Sequence, residues 1–191
     1  MSRIIGGSAG GRRLKAPAGE RTRPTSDRVR EALFSALESA LGSLHDRSFL
    51  DLYSGSGAIA LEAASRGAAP VVAVESDRRA AAVIGDNVTA TGLAVRVATQ
   101  PVERFVARSA DVGYDVVVAD PPYPLGNDDL TGVLAALIEH GWLADGATVV
   151  VERSARTPEP GWPSGLARVR RKDYGETVLW YVHADTGSPV G

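Results

Sequence analysis

Four consecutive residues, Asp120-Pro121-Pro122-Tyr123, have the types and spacing of a reaction site. They follow the apolar run Tyr114–Ala119, so they stand where a strand gives way to a loop. An exocyclic amino group on a planar ring is a poor nucleophile, because its lone pair is delocalised into the ring. A catalyst that alkylates it must hold both amino hydrogens and turn the lone pair toward an activated carbon. The Asp120 carboxylate and the Pro121 carbonyl are acceptors suited to those two hydrogens. Pro122 stiffens the loop, and Tyr123 offers a face on which a flipped-out base stacks, an interaction worth about 1–3 kcal/mol. A plain proline turn accounts for the prolines but not for the carboxylate and ring beside them. The four residues therefore read as the catalytic set for a planar amino nitrogen, and no metal is required.

A second constellation is Asp51-Leu52-Tyr53-Ser54-Gly55-Ser56-Gly57, again at the end of an apolar run. Its glycines let the backbone approach a ligand closely at the carboxyl edge of a sheet. Glu75 ends the next apolar run, and an acid there commonly accepts hydrogen bonds from both ribose hydroxyls of a bound nucleoside. Two cofactors fit this loop. Gly55-x-Gly57-x-x-Ala60 with Glu75 twenty residues after Gly55 matches a dinucleotide fingerprint, whereas Asp51 ahead of the glycines suits the amino-acid end of S-adenosylmethionine. No hydride-transfer site is visible later in the chain, and an amine acceptor needs a methyl donor. Asp120–Tyr123 thus decides for S-adenosylmethionine, with S-adenosylhomocysteine as product.

The elements that must position these residues are legible in the hydrophobic pattern. Val29, Ala32, Leu33, Ala36, Leu37, Ala40 and Leu41 fall on one face of a helix beginning near Asp27 and stopping at Gly42. Strand-length apolar runs follow at Phe49–Leu52, Val71–Val74, Val95–Ala98, Tyr114–Ala119 and Ala147–Val151, with helical stretches at 57–66, 77–91, 101–109 and 127–140 between them. Runs such as Val116-Val117-Val118 lack polar alternation and so predict strands covered on both faces. After the prolines at 158, 160 and 163, Leu166–Arg171 and Thr177–His183 read as a strand pair around Tyr174-Gly175. The expectation is α/β: a doubly wound, mostly parallel seven-stranded sheet with an antiparallel edge strand. Ahead of it, Ser2–Gly6 and Gly11–Lys15 predict a small β-hairpin turning at Gly7-Ser8-Ala9-Gly10. This divides the chain into a basic extension, 1–25, and a catalytic domain, 26–191.

The 191 residues carry a net charge of −2, which argues against a phosphate-rich partner. That average conceals an asymmetry. Residues 1–30 hold Arg3, Arg12, Arg13, Lys15, Arg21, Arg23, Arg28 and Arg30 against Glu20 and Asp27, a net of +6, which leaves −8 on the rest. An end-loaded basic segment is an electrostatic footprint for nucleic acid, and equally the pattern of a solvated tail. The chain has no Cys, which excludes disulfides, thiolate zinc sites and cysteine nucleophiles, and its three His lack metal-ligand spacing. With no membrane-length apolar stretch and no secretory signal, a soluble cytoplasmic protein is expected.

The order of glycine loop, acid and Asp-Pro-Pro-Tyr resembles the class I amino-methyltransferases. Further stretches narrow the likeness: Arg3–Gly7, Gly11–Leu14, Thr22–Thr25, Asp27–Phe34, Asp51–Gly57, Glu62–Ala68 and Tyr174–Thr177 resemble the bacterial small-subunit ribosomal RNA guanine-N2 methyltransferases, over nearly the whole chain. The resemblance implies one guanine in 16S ribosomal RNA as substrate, met within a 30S subunit or an assembly intermediate. It implies that Asp51, Tyr53, Gly55 and Gly57 line the cofactor loop, that Glu75 holds the ribose, and that Ser76, Gln100, Val102 and Asp120 complete the cofactor set. Where this class often carries an acid for the adenine amino group, this chain has Gln100, which offers only a neutral carbonyl. Arg3, Arg12, Arg13, Lys15 and Arg23 fall in the segment assigned to RNA contact. Other readings are a methyltransferase for adenine N6 in DNA or RNA or for a protein amide, a nicotinamide oxidoreductase, and a non-catalytic RNA-binding assembly factor.

Overall fold

Helix α1 (Asp27–Leu41) starts where Ser26 accepts a hydrogen bond from the Val29 amide and ends at Gly42, whose φ of 77° suits a residue without a Cβ. Its buried residues are Val29, Arg30, Leu33, Phe34 and Leu37: three belong to the expected stripe, Arg30 and Phe34 widen it, and Ala40 at its far end is exposed. The computed structural model describes residues 2–17 and 26–185, so Arg21 and Arg23 lie outside the described residues. The chain forms two compact units, Met1–Pro101 and Val102–Gly191.

In the first unit, β3 (Phe49–Leu52), α2 (Ala58–Ser65), β4 (Val71–Glu75), α3 (Arg78–Thr91) and β5 (Arg96–Thr99) follow α1. β3 pairs in parallel with β4, and β4 with β5, in registers that set Leu52 beside Val74 and Glu75 beside Thr99. All four residues of β3 are buried. Each Leu or Val so covered contributes about 1.5–3 kcal/mol, so a polar residue at Leu50 would break this layer.

The second unit contains α4 (Val102–Val106), β6 (Tyr114–Ala119), α5 (Asn127–Glu139), β7 (Leu143–Ser154), β8 (Leu166–Tyr174) and β9 (Thr177–Ala184). β6 and β7 are parallel; β9 runs antiparallel to both β7 and β8. The strand order is β5-β4-β3-β6-β7-β9-β8. The protein is therefore α/β with a mostly parallel seven-stranded sheet. The reversed strand β9 sits one place inside the edge, and β8 forms the edge itself.

Several boundaries differ from expectation: α4 stops at Val106 rather than 109 and β8 runs on to Tyr174 rather than 171, and two larger differences have a backbone reason. β7 reaches from Leu143 to Ser154 rather than 147–151, because Leu143 pairs with Tyr114 and residues 152–154 pair with β9. Hydrogen bonding extends the strand through polar positions that hydrophobicity does not mark. The N-terminal strands β1 (Ser2–Arg3) and β2 (Arg13–Leu14) are only two residues long. The Ile5 and Gly6 amides, which a longer hairpin would direct across the pair, go to the Glu62 carboxylate at 2.7 and 2.9 Å.

Candidate active site and nucleic-acid interface

In the first unit, the segment after β3 is built by unusual backbone. Tyr53 has φ 60° although it is not glycine, and Gly55 and Gly57 have φ 53° and 77°. At Gly57 a Cβ would also lie 2.8 Å from Ile84 Cγ2, so space and conformation both require glycine. Ser54 fixes the turn by donating its hydroxyl to the Asp51 carbonyl at 2.8 Å, and the Gly57 amide closes on the Ser54 carbonyl at 2.7 Å. Asp51 is 1% exposed, and its Oδ2 accepts the Ala60 amide at 3.2 Å in the first turn of α2. The helix has no side-chain N-cap, so this buried carboxylate takes over that task.

Glu75 closes the loop from β4: its Oε2 accepts the Gly55 amide and its Oε1 the Asp77 amide, both at 2.8 Å. Each oxygen of a carboxylate has a further lone pair, so two hydroxyl donors can still be accepted. The Ser76 hydroxyl stands 3.5 Å from Oε1. Gln100 follows Thr99, the register partner of Glu75. Val102 opens α4 in the second unit and is 2% exposed.

In the second unit, β6 delivers a graded sequence. Val116–Ala119 are buried, Asp120 is half-buried, Pro121 is buried, and Pro122 and Tyr123 are exposed, Tyr123 by 68%. A large ring this open to solvent next to a rigid diproline has no packing role to explain it. The Leu125 amide closes a turn on the Pro122 carbonyl at 2.9 Å. The buried Arg153 of β7 steadies that turn: its Nη2 donates to the Leu125 carbonyl at 2.9 Å and to Asn127 Oδ1 at 3.2 Å. Asn127 in turn donates to the carbonyls of Pro158 and Glu159.

The basic residues of the hairpin are exposed but not all idle. Arg12 donates to the Ala90 and Thr91 carbonyls at the end of α3, Lys15 pairs with Asp86 at 3.0 Å, and Arg3 lies 3.9 Å from Asp27. Arg13 is exposed, and Arg23 lies outside the described residues. The hairpin is bolted to the first unit by groups the sequence reading did not single out. Glu62, fully buried, receives the Ile5 and Gly6 amides and Arg66 Nε at 2.8 Å, with Arg30 Nε at 3.8 Å. Ser65 Oγ accepts the Ala9 amide and donates to the Gly6 carbonyl. Asn87, 2% exposed, brackets Lys15 through both its amide and carbonyl and also donates to the Ser56 carbonyl of the glycine loop. An acid amid the apolar Ala58–Ser65 helix was the one visible signal for Glu62.

The family model described as Conserved hypothetical protein 95 matches residues 2–183. Ribosomal RNA small subunit methyltransferase D of Escherichia coli K12 is 36% identical over 177 residues, which is 92% of this chain and 86% of that protein. The protein of the same name from Haemophilus influenzae is 31% identical, over 82% and 80% of the two chains. Among solved structures, a hypothetical protein of Thermus thermophilus superposes with a TM-score of 0.77 at 35% identity, covering 95% and 98% of the two chains. The 16S rRNA N2 methyltransferase of the same organism, solved with AdoMet and guanosine, gives 0.70 at 21% identity, over 87% of this chain and 44% of that one, a likeness of fold.

Proposed function

This chain belongs to the Conserved hypothetical protein 95 family, with the small-subunit ribosomal RNA methyltransferase D proteins among its relatives, and from that premise we propose that it is an S-adenosylmethionine-dependent ribosomal RNA methyltransferase. In its finer form the proposal is transfer of methyl to the exocyclic N2 of one guanine in 16S ribosomal RNA, within a 30S subunit or its assembly intermediate. The observation that carries it is the graded end of β6, where half-buried Asp120 precedes a 68%-exposed Tyr123.

The residues of the first unit fit the donor. Glu75 keeps acceptor capacity for two ribose hydroxyls, and the loop Tyr53–Gly57 presents backbone with no side chain of its own at Gly55 and Gly57. The bound donor supplies a methyl group activated on a sulfonium and leaves as S-adenosylhomocysteine. In the second unit, Tyr123 stacks the extruded base, while the Asp120 carboxylate and Pro121 carbonyl accept the two amino hydrogens. The nitrogen gains the methyl and loses one proton, for which Asp120 is the nearest assigned acceptor. Orientation is the main contribution, because the methyl needs no further activation.

The test is incubation with methyl-labelled S-adenosylmethionine and small-subunit particles from a strain lacking the protein, followed by nucleoside analysis. The expected product is N2-methylguanosine in 16S ribosomal RNA, absent with Asp120→Ala although that variant still binds the donor. Label in adenine, in DNA or in a protein amide would replace the acceptor. Binding of a nicotinamide in place of S-adenosylmethionine would remove the reaction class, and normal ribosome maturation with Asp120→Ala would leave an assembly factor.

A further inference from the structure

The second unit is acidic, with eight Lys and Arg against thirteen Asp and Glu, yet four of its eight cations fall within residues 168–172. That run, Arg168-Val169-Arg170-Arg171-Lys172, lies on β8, the outer edge of the sheet. Arg168, Arg170 and Arg171 are exposed and Lys172 partly so; Val169 is 39% exposed.

Their arrangement is specific. A register shift between Ala167 and Arg170, with Arg168 at φ 57°, turns the strand out at its start. Arg170 pairs in register with Tyr181 and Lys172 with Leu179, which puts both cations on one face, and Lys172 Nζ lies 5.9 Å from the Tyr181 ring. Arg171 is on the opposite face, held by both oxygens of Asp173 and lying 5.4 Å from the Trp180 ring. Asp173 therefore neutralises Arg171. No carboxylate among the described residues pairs with Arg168, Arg170 or Lys172.

A charged, bulged edge discourages unwanted strand pairing, but one or two lysines achieve that. Here two of the three cations left without a carboxylate partner are arginines, whose planar fork matches phosphate oxygens two at a time. Arg170 and Lys172 are displayed at strand spacing on one face, with Arg168 in the bulge before them, in a unit that otherwise carries an excess of acidic residues.

We propose that β8 is a second contact surface for the phosphate backbone of the substrate RNA, made by Arg168, Arg170 and Lys172. It supplements the N-terminal hairpin and rests on the reading of the protein as an RNA methyltransferase. Because the contacts are to phosphate, they add affinity and orientation and carry no base specificity.

The experiment titrates transcribed, unmethylated small-subunit ribosomal RNA with the full-length protein over a range of salt concentrations. Wild type is compared with Arg170→Gln and with the triple variant Arg168→Gln/Arg170→Gln/Lys172→Gln. Loss of three contacts lowers the slope of log K against log salt by about 2–3 and that of one by about 0.7–0.9. At about 0.1 M salt the triple variant binds roughly 10- to 100-fold more weakly, with turnover at saturating RNA unchanged. Slope and affinity equal to wild type overturn the proposal, as does a triple variant that only aggregates while soluble Arg170→Gln binds like wild type. A wild type that binds this RNA but never methylates small-subunit particles from a strain lacking the protein sinks the proposed function instead, and the comparison of slopes still reads β8.

Discussion

Replacing Glu62 tests whether one buried carboxylate holds the basic hairpin in place. It has no exposed surface and receives two backbone amides at 2.7 and 2.9 Å and Arg66 Nε at 2.8 Å, with the fully buried Arg30 3.8 Å away. Glu62→Ala removes the acceptor of all these groups at once. Summing about 1.5–3 kcal/mol for each charge-assisted bond would overcount, since the bonds share one charge. Removing one partner of a buried ion pair costs about 3–5 kcal/mol, and that is the expected loss. Arg66 keeps Glu38 at 2.9 Å, so the strain falls on Arg30 and the hairpin amides. Glu62→Gln leaves one carbonyl acceptor but sets an NH2 against a backbone N–H. It should cost less than the alanine variant, about 2–3 kcal/mol. Urea unfolding at unchanged m measures both. Native-state hydrogen exchange at Ile5 and Gly6 gives a second reading, with protection lost earlier than in β3. An alanine variant within about 1 kcal/mol of wild type, or one destabilised with those two amides still fully protected, would refute the tether.

Substitutions at four other positions probe the assigned roles. Glu75→Ala should weaken S-adenosylmethionine by about 10- to 150-fold, from about 1.5–3 kcal/mol of hydrogen bonding; calorimetry showing the wild-type dissociation constant would contradict the ribose assignment. Tyr123→Ala should raise the KM for RNA by about 5- to 150-fold for a stacking loss of about 1–3 kcal/mol, without moving the melting temperature of so exposed a site, and Tyr123→Phe should restore it; equal KM in all three proteins argues against stacking. Arg153→Met releases the Leu125 carbonyl and Asn127, so kcat/KM for RNA should fall about 10-fold, the cost of about 1.4 kcal/mol in positioning, while donor affinity stays fixed. Weakened donor binding would mean the effect is general rather than local. Burial and the Arg168 cation hold His183 below its ordinary value of 6.5. The unfolded chain therefore takes up a proton that the folded one refuses, so the stability tied to His183 is intact above about 6.5 and declines as pH falls toward the folded value. Arg168→Gln should raise the His183 midpoint in an NMR titration yet leave it under 6.5, because burial is the larger cause; an unmoved midpoint would remove Arg168 from its surroundings.

Periodicity revealed what water exclusion dictates. The stripe Val29–Leu41 and the unbroken run Val116–Val118 can each be buried in essentially one way, and α1 and β6 form where those patterns place them. Boundaries set by backbone pairing were less visible. β7 continues past Asp145-Gly146, which lie in a register shift, to the pair Leu143–Tyr114 at one end, and through Glu152-Arg153, paired with β9, at the other, and neither extension is marked by apolar residues. In the candidate site, residue types alone single out Asp120–Tyr123 and the glycine loop as candidates. Their partners were silent: Arg153 looks like any charged residue near a strand end, and only a folded chain puts it 2.9 Å from the Leu125 carbonyl.

The same limit applies with more force to the hairpin, where the sequence offered charge and the structure offers attachment. Arg12 and Lys15 were counted for phosphate, yet their observed partners are the end of α3 and Asp86. An exposed ion pair is worth only about 0–1 kcal/mol, so RNA can take Lys15 from Asp86 at little cost. Arg12 also satisfies two helix-end carbonyls, and moving it leaves them to water. Asn87 complicates the division further, since one buried amide touches both Lys15 and Ser56 of the glycine loop. On the proposed assignments, RNA that displaces the Lys15 backbone would therefore also alter an anchor of the glycine loop. Phosphate binding at the hairpin and donor binding at Tyr53–Gly57 are thus expected to be coupled, and by thermodynamic reciprocity to the same extent in each direction. Asn87→Ala should reduce that coupling; equal donor affinities with and without RNA in the wild type would show there is none.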